Sequence, residues 1–440
     1  MKINFIPTRR LVFILLLGTI PLFLGGPWIK PFMIFLVYNL IFLTLAVVDY
    51  FFISNFIIRV KRIVKDTFSL GIKNSVKISL SNKNSFSLFL QLKDDYPFQF
   101  KADRDNLFRL YLSPDSTEEI EYFLTPYERG KYNFGKMHIR CYSFLGLTGR
   151  RIVVEQRQKV RVYPNLDNVT RYQLMAIKGH LQRTGIKPAK ILGRGMEFES
   201  LRDYLPDDEY SDINWKASAR RGRLIVNQYD EEKSQNILIL IDAGRMMTSC
   251  VGGISKLDYA VNTALILSYV CSLRGDKIGL LAFAGDIKSY LPPSKGKKHI
   301  QLILETLYDL TPELVEPNYS LALKFLGTKS RKRSLVFLFS DIMDQYSSEE
   351  LIKYFPTLFP HHIPFCVAIT DPVIREMATK DCTASREIYE QAMAEQVLWE
   401  RKKALSIMGK KGVYTMEALP EELSVKVINE YLKIKVKAKL

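Results

Sequence analysis

"ILILIDAGRMM", residues 237–247, is a run of branched apolar residues that stops at one carboxylate, Asp242. A wholly apolar run of this length is typical of a parallel β-strand that is covered on both faces. The carboxyl end of such a strand is where open α/β sheets bind ligands. Two explanations of Asp242 are open: it belongs to a metal site, or it belongs to a scaffold that has lost the metal.

Strand and helix patterns alternate from residue 235 to residue 440. Further apolar strands are predicted in "DKIGLLAFAGD" (276–286), "RSLVFLFSDIMD" (333–344) and "IPFCVAITDP" (363–372), with helical patterns between them. Alternation of this kind predicts an α/β domain with a doubly wound, Rossmann-like sheet.

Acidic residues lie at or just after the ends of these strands. They are Asp242, Asp286, Asp341 and Asp371. Because the carboxyl ends of parallel strands meet at one edge of the sheet, these carboxylates are candidates to bind a hard cation such as Mg²⁺.

Residues 66–165 follow a different pattern, in which apolar and polar residues alternate with period two. Examples are "SVKISLSN" (75–82), "SFSLFLQL" (85–92) and "EIEYFLTP" (119–126). Several short alternating strands separated by turn residues predict an antiparallel, sandwich-like β domain. This region contains no catalytic constellation, so we expect a packing or docking module.

Two uncharged apolar segments, residues 11–29 and 31–48, precede the β-rich region. Each is about long enough to cross roughly 30 Å of hydrocarbon as a helix. A signal peptide is the competing interpretation of the first segment, but no small-x-small cleavage motif follows it and a second apolar segment begins at once. We therefore predict two transmembrane helices within residues 1–60.

Basic residues flank this pair of segments on both outer sides, whereas the turn between the segments holds one. The flanking residues are Lys2, Arg9, Arg10, Arg59, Lys61, Arg62 and Lys65, and the turn holds Lys30. The positive-inside rule then predicts that both ends, and the soluble domains, lie in the cytoplasm.

The net charge of +17 points to an anionic partner. Acidic lipid headgroups next to the membrane helices satisfy this expectation. The basic clusters at 219–223 and 329–333 lack interleaved aromatic residues and any recognised nucleic-acid module, so we expect no nucleic-acid partner.

Motifs of enzymes are missing from the sequence. It has no P-loop and no GxSxG nucleophile elbow, and its five cysteines form no CxxC pair. We therefore expect a protein without catalytic residues.

The most distinctive stretch is "GRGMEFESLRDYLPDDEYSDINWKASARRGRLIVNQY" (193–229). It resembles the signature of domain-of-unknown-function family 58, a membrane-anchored bacterial family with a von Willebrand factor A-like domain. The matching positions are Gly195, Glu197, Phe198, Leu201, Arg202, Tyr204, Pro206, Asp208, Ile213, Trp215, Lys216, Ala219, Arg220, Arg221 and Gly222. Asp207 replaces the usual glycine, and the resemblance covers nearly the whole chain.

The resemblance implies a protein of the bacterial inner membrane that works with a MoxR-type AAA+ ATPase and with other membrane proteins. The signature has the character of a structured loop in which acidic and basic residues surround Trp215. It is either a partner-binding surface or a self-contained lattice of salt bridges. The candidate partner-binding residues are Glu197, Phe198, Arg202, Tyr204, Asp208, Trp215, Lys216, Arg220 and Arg221.

The resemblance also bears on Asp242. Related adhesion domains hold Mg²⁺ with an Asp-x-Ser-x-Ser turn, a threonine from a second loop and an aspartate from a third. Here Gly244 and Met246 stand at the serine positions, Tyr319 or Ser320 stands near the threonine position, and Asp341 is kept. We therefore predict a degenerate, vestigial site at Asp242 and Asp341, with Mg²⁺ binding weakly at most, no other cofactor, and Asp242 paired with Arg245 or a helix N-terminus.

The sequence thus predicts four segments: two transmembrane helices (1–60), a β-rich domain (66–165), a signature linker (166–234) and a von Willebrand factor A-like α/β domain (235–440). The expected function is that of a non-enzymatic, membrane-anchored scaffold in a chaperone-like or cell-envelope system. The alternative is a receptor that binds its ligand through a divalent metal ion.

Overall fold

A computed structural model describes residues 5–20, 22, 29–54, 56–142, 145–164, 197–206, 208, 210–230, 235–343, 348–380 and 385–436. The chain divides into two compact units, Met1–Tyr163 and Pro164–Leu440. We describe each unit by itself.

The described helices of the first unit are α1 (Arg9–Leu17) and α2 (Ile29–Ser54). Within the described part of the chain, α2 is the one helix that is long and apolar enough to cross a membrane, over the segment Pro31–Phe51. Only 6% of the most apolar stretch of this segment is buried. Such a helix has the composition of a membrane anchor or of a signal sequence. The predicted first span is helical as far as Leu17, and most of its remainder falls outside the described residues.

Helices α1 and α2 contact each other at two levels. Leu11 and Ala46 belong to one small apolar cluster, and Gly18 lies against Tyr38 farther along. A Cβ atom on Gly18 would come within 2.5 Å of the Tyr38 ring, so the close approach requires glycine at this position. The two contacts together give an antiparallel arrangement of the helices.

The β-strands described in this unit form three sheets. The strands are β1 (Phe5–Pro7), β2 (Ile58–Val64), β3 (Thr67–Ser69), β4 (Asn74–Asn82), β5 (Leu88–Asp94), β6 (Phe100–Ala102), β7 (Leu107–Leu112), β8 (Thr117–Pro126), β9 (Gly130–Phe134), β10 (Met137–Tyr142), β11 (Thr148–Val154) and β12 (Gln158–Tyr163). The sheets have the orders β1-β11-β10-β5-β7, β2-β4-β8-β6 and β3-β12-β9. Every pairing is antiparallel except that of β3 with β12.

A buried ion pair joins the two larger sheets. Arg62 of β2 pairs with Asp94 of β5, and the Tyr122 hydroxyl of β8 donates a 2.6 Å hydrogen bond to the same carboxylate. All three side chains are buried. Because a buried charge is stable only when it is paired, this cluster fixes how the inner faces of the two sheets meet.

Strand β11 connects this β-structure to both helices. β1, directly before α1, pairs with β11, and the Asp49 carboxylate near the end of α2 accepts bonds from the backbone nitrogen (3.0 Å) and hydroxyl (2.8 Å) of Thr148. The start of α1 and the end of α2 therefore lie at the same strand. Asp49 is buried, and its bonds to Thr148 attach the end of α2 to the sheet.

The second unit opens with the signature segment, which is more regular than the predicted loop. It contains strand β13 (Glu197–Asp203), helix α3 (Trp215–Arg221) and strand β14 (Ile225–Asp230), and β13 pairs antiparallel with β14. The density of charges made this segment resemble a loop. Burial of Ile225 and Val226 favours a strand instead.

An α/β sheet follows. Its elements, with a short hairpin, are β15 (Asn236–Asp242), β16 (Cys250–Val251), β17 (Ile254–Ser255), β18 (Lys277–Phe283), β19 (Ile287–Ser294), β20 (Leu335–Ser340), β21 (Ile363–Ile369) and β22 (Tyr414–Ala418). Among the described strands the sheet order is β19-β18-β15-β20-β21-β22, and β19 alone runs antiparallel to its neighbour. β19 was not predicted, because its two prolines and its polar residues hide the strand pattern.

Helices cover both faces of this sheet. They are α4 (Lys256–Leu273), α5 (Lys297–Tyr308), α6 (Tyr319–Lys329), α7 (Glu349–Tyr354), α8 (Pro372–Thr379), α9 (Ser385–Lys410) and α10 (Leu423–Val436). Ile239 of β15 packs in the core with α4, α5 and α10, whereas Leu240 packs in the core with α6, α7 and α9. The apolar run that ends at Asp242 is thus buried on both sides, and the mixed α/β class is confirmed.

Candidate functional site

Two acidic residues predicted to form the site lie together at the carboxyl edge of the sheet. Asp242 is the last residue of β15, and Asp341 directly follows β20, the neighbouring parallel strand. Both side chains are buried. Their surroundings are different, however, and each carboxylate has its own set of partners.

Asp242 accepts hydrogen bonds from three neutral donors. Its Oδ1 accepts a bond from the backbone nitrogen of Gly244 at 2.8 Å. Its Oδ2 accepts bonds from the Tyr319 hydroxyl at 2.8 Å and from the Ser340 hydroxyl at 2.7 Å. Tyr319 begins α6 and Ser340 ends β20, so the carboxylate joins three elements at the end of the sheet.

Burial raises the pKa of Asp242 above its ordinary value of 3.8. The hydrogen bonds from Gly244, Ser340 and Tyr319 favour the ionised form and offset part of this shift, and the nearby charge of Asp341 adds to it. The same burial, with the charge of Asp242, raises the pKa of the Tyr319 hydroxyl well above its usual range. Tyr319 therefore stays a neutral hydrogen-bond donor.

Asp341 is held by two cations of the chain itself. Lys256 Nζ lies 2.6 Å from Oδ2, and Arg401 Nη2 lies 2.7 Å from Oδ1. All three side chains are almost completely buried. We call Asp341, Lys256 and Arg401 the ion cluster.

The ion cluster joins distant parts of the unit. Lys256 is the first residue of α4, and Arg401 lies in the second half of α9. Arg401 also donates a 2.7 Å bond to the carbonyl of Ile369 and lies 3.1 Å from the carboxylate of Glu417. One guanidinium therefore attaches α9 to β20, β21 and β22.

The turn after Asp242 has no room for a serine at position 244. A Cβ atom on Gly244 would lie 2.9 Å from the carbonyl oxygen of Val315 and 2.9 Å from the ring of Pro317. Arg245 forms an exposed ion pair with Glu316 at 2.5 Å. The expected pairing of Arg245 with Asp242 was therefore wrong, because the segment around residue 316 draws Arg245 outward.

These residues do not fit a divalent metal ion. The oxygens of Asp341 bind Lys256 and Arg401, Gly244 offers no hydroxyl, and Met246 supplies no hard oxygen ligand. Throughout the described ranges, no three His, Cys, Asp or Glu side chains cluster in a way that could hold a metal ion. Asp371, another candidate, instead caps α8 by accepting a 2.9 Å bond from the nitrogen of Val373.

The signature segment contains two ion pairs near one end of its hairpin, where β13 ends and β14 begins. Arg202 binds both carboxylate oxygens of Asp208, at 2.7 Å and 2.5 Å, and Arg223 lies 2.9 Å from Asp203. The bonds from Arg202 lower the pKa of the Asp208 carboxyl below its usual range. Part of the charge of the signature segment is therefore paired within the segment itself.

Helix α3 presents the remainder of the predicted residues to solvent. Trp215 is 66% exposed, and Lys216, Arg220 and Arg221 are exposed without a carboxylate at ion-pair distance among the described residues. Asn214 caps the start of the helix, and Gly222 ends it in the left-handed conformation with φ 68°. We call Trp215, Lys216, Arg220 and Arg221 the α3 surface.

The three other predicted residues, Glu197, Phe198 and Tyr204, lie outside α3. Tyr204 packs near the ring of Tyr210 at a centroid distance of 6.0 Å, next to the α3 surface in sequence. Glu197 and Phe198 belong to β13, and their side chains lie outside the described residues.

The sequence interpretation missed both cations of the ion cluster. Lys256 and Arg401 lie 85 and 60 residues from Asp341, so no local motif connects them. One signal was available for Lys256, because it is a charged residue at the start of an otherwise apolar helix. Arg401 lies among many other charged residues of α9, and nothing in the sequence distinguishes it.

Comparison with known proteins adds a family match. Residues 200–382 match the family model described as "Protein of unknown function DUF58". The uncharacterized protein YeaD of Bacillus subtilis is 25% identical over 217 residues, which cover 49% of this chain and 51% of the relative. An uncharacterized protein of Mycobacterium tuberculosis is 24% identical over 155 residues, which cover 35% of this chain and 49% of that protein. The chain spans about half the length of these curated relatives.

Solved structures resemble the chain only weakly. A PapD-like domain of human CEP192 has a TM-score of 0.19 at 10% identity and covers 24% of this chain and 85% of its own. The CARDB domain of a Pyrococcus furiosus protein has a TM-score of 0.17 at 10% identity and covers 25% of this chain and 94% of its own. Likenesses at this level support no conclusion about fold or function.

Substitution of Lys256 tests the ion cluster. We expect Lys256→Gln to lower the free energy of unfolding by roughly 3–5 kcal/mol, because it leaves the buried Asp341 carboxylate with one cation fewer. Lys297→Gln is the matched control, since Lys297 is also the first residue of a helix but is exposed. Chemical denaturation of the purified full chain measures both. Equal stability of the two variants would contradict the role of Lys256.

Substitution of Asp242 tests its raised pKa. The folded state binds a proton more readily than the unfolded state, so the contribution of Asp242 to stability falls as pH rises from 3.8 through the raised folded-state pKa. We expect Asp242→Asn to gain stability relative to the unsubstituted protein over this pH range. Denaturation curves at a series of pH values measure the difference. Asp286→Asn is the control, because Asp286 is exposed. If the stability of Asp242→Asn relative to the unsubstituted protein falls as pH rises, the raised pKa of Asp242 is refuted.

Proposed function

We propose that this chain is a non-enzymatic scaffold protein, anchored in the inner membrane, that binds a MoxR-type AAA+ ATPase through the α3 surface. The exposure of Trp215 beside three cations that have no carboxylate partner within the described part of the chain supports this proposal most directly. The class of partner comes from the resemblance of residues 193–229 to family 58, and the family match over residues 200–382 is consistent with it.

The composition of the α3 surface is that of a binding surface. Tryptophan and arginine dominate the binding energy of protein interfaces because they combine a large contact area with directional bonds. A Trp215 side chain packed into the protein's own core would have indicated a structural role. The side chain is instead 66% exposed. The exposed positive charges of Lys216, Arg220 and Arg221 would attract a partner with an acidic surface.

The membrane anchor is proposed to be a helical hairpin with both ends in the cytoplasm. The antiparallel contacts of α1 with α2 support it, as does the connection of both helices to β11. Basic residues outside the two apolar segments favour the cytoplasmic placement of both ends.

The α/β domain is proposed to be von Willebrand factor A-like in arrangement and to work by contact. Numbered along the chain, its large sheet has the order 3-2-1-4-5-6, with the third strand antiparallel, which agrees with a doubly wound fold. The ion cluster supports contact rather than metal-dependent ligand binding, because Lys256 and Arg401 use the oxygens of Asp341 that a metal ion would need. We therefore do not favour the alternative of a metal-dependent receptor.

Affinity capture from solubilised bacterial membranes tests the proposed partner. We expect the full chain to retain an AAA+ ATPase, and we expect Trp215→Ala to reduce the retained amount at least about tenfold, since losing an interface tryptophan costs on the order of 2 kcal/mol or more. Quantitative mass spectrometry of the captured proteins measures the change.

Trp399→Ala provides the matched control. Trp399 lies in α9 and is 62% exposed, so its removal deletes an equally accessible tryptophan from another surface of the same unit. Capture of the ATPase should be the same with this variant as with the unsubstituted chain. Equal losses with both variants, or no ATPase with any of the proteins, would contradict the proposal.

A further inference from the structure

An apolar cavity of about 710 Å³ lies in the first unit, beside the end of α2. Its walls come from the last turns of α2, from the neighbouring ends of β5 and β7, and from the segment around β10. The principal apolar wall residues are Ile53, Phe86, Phe89, Tyr111, Tyr142 and Leu145. Its volume is within the range of roughly 300–1,000 Å³ that is usual for small-molecule sites.

The wall residues favour an uncharged, apolar ligand. No Lys or Arg occurs among the described residues that line the cavity, and its one acidic residue, Asp49, binds Thr148. Phe86, Phe89, Tyr111 and Leu145 remain exposed although they are large and apolar. A contiguous set of exposed apolar side chains marks a site that binds another apolar group.

The position of the cavity identifies the source of that ligand. Asp49 lies within the apolar segment Pro31–Phe51, and Ile53 lies two residues beyond it. If α2 crosses the membrane as proposed, the cavity opens where the helix leaves the hydrocarbon. Tyr111 and Tyr142 then lie at the depth where aromatic residues are enriched in membrane proteins, next to the acyl chains of the bilayer.

We propose that this cavity binds an acyl chain of a membrane phospholipid. The inference rests on the proposed membrane anchoring of α2, and it adds a lipid site that neither the scaffold role nor the ATPase partner requires. The acyl chain enters the cavity from the bilayer, between α2 and the neighbouring ends of β5 and β7. Its methylene groups cover the exposed side chains of Phe89, Tyr111 and Leu145, which would otherwise contact water.

Photolabelling of the full chain in phospholipid nanodiscs tests the proposal. The probe is a phosphatidylcholine with a diazirine near the end of one acyl chain, and the labelled peptides are identified by mass spectrometry. We expect label on peptides that contain residues 85–89 and 111–114, in addition to label on α2. Labelling of α2 without labelling of these cavity peptides would overturn the lipid site while leaving the membrane anchor intact.

A variant that fills the cavity makes the test specific. Ser87 is a wall residue, and we expect Ser87→Trp to lower the cavity labelling about tenfold, because the indole fills space that the acyl chain would occupy. Phe98→Trp is the control, because Phe98 is exposed beyond the other end of β5. If Ser87→Trp leaves the labelling of the cavity peptides unchanged, the lipid site is refuted. If α2 itself is not labelled, the membrane anchor is refuted instead.

Discussion

The pairing of Asp341 with Lys256 and Arg401 is the interaction on which the α/β unit depends most. A buried carboxylate without a cation is costly, and two buried cations without a carboxylate are costlier still, so each group requires the others. The three residues come from the end of β20, the start of α4 and the second half of α9. They thus fix two helices against the carboxyl edge of the sheet, where related folds bind ligands. At that edge both oxygens of Asp341 are occupied by cations of the chain itself.

The same principle recurs in both units. Arg62 and Asp94 join the two larger sheets of the first unit, and at the other edge of the large α/β sheet Lys435 contacts both oxygens of Asp276, at 2.7 Å and 2.8 Å. In the latter case the buried pair attaches α10, the final described helix, to the start of β18. Buried ion pairs add little net stability compared with apolar packing, but a wrong arrangement that separates them is heavily penalised. They select one docking of each helix and sheet.

Much of the fold could be predicted because it depends on local patterns. The apolar run before Asp242 gave a buried strand, and the alternation in residues 75–82 and 119–126 gave β4 and β8. Elements defined by distant partners could not be predicted. β1 is a three-residue strand only because β11 pairs with it, and Lys256 is part of the site only because folding brings it to Asp341. Asp242 and Asp341 were recognisable from the ends of their strands, whereas the cations that pair with Asp341 were not.

The most direct test of the metal-free ion cluster is the thermal unfolding of the detergent-solubilised full chain with and without Mg²⁺. A ligand at a hundred times its dissociation constant stabilises a protein by about 2.7 kcal/mol, which raises the melting temperature measurably. The ion cluster predicts the same melting temperature in millimolar Mg²⁺ and in a chelator. A rise in melting temperature with Mg²⁺ that Asp242→Ala abolishes would contradict it, because Asp242 and Asp341 would then bind a metal ion in place of Lys256 and Arg401.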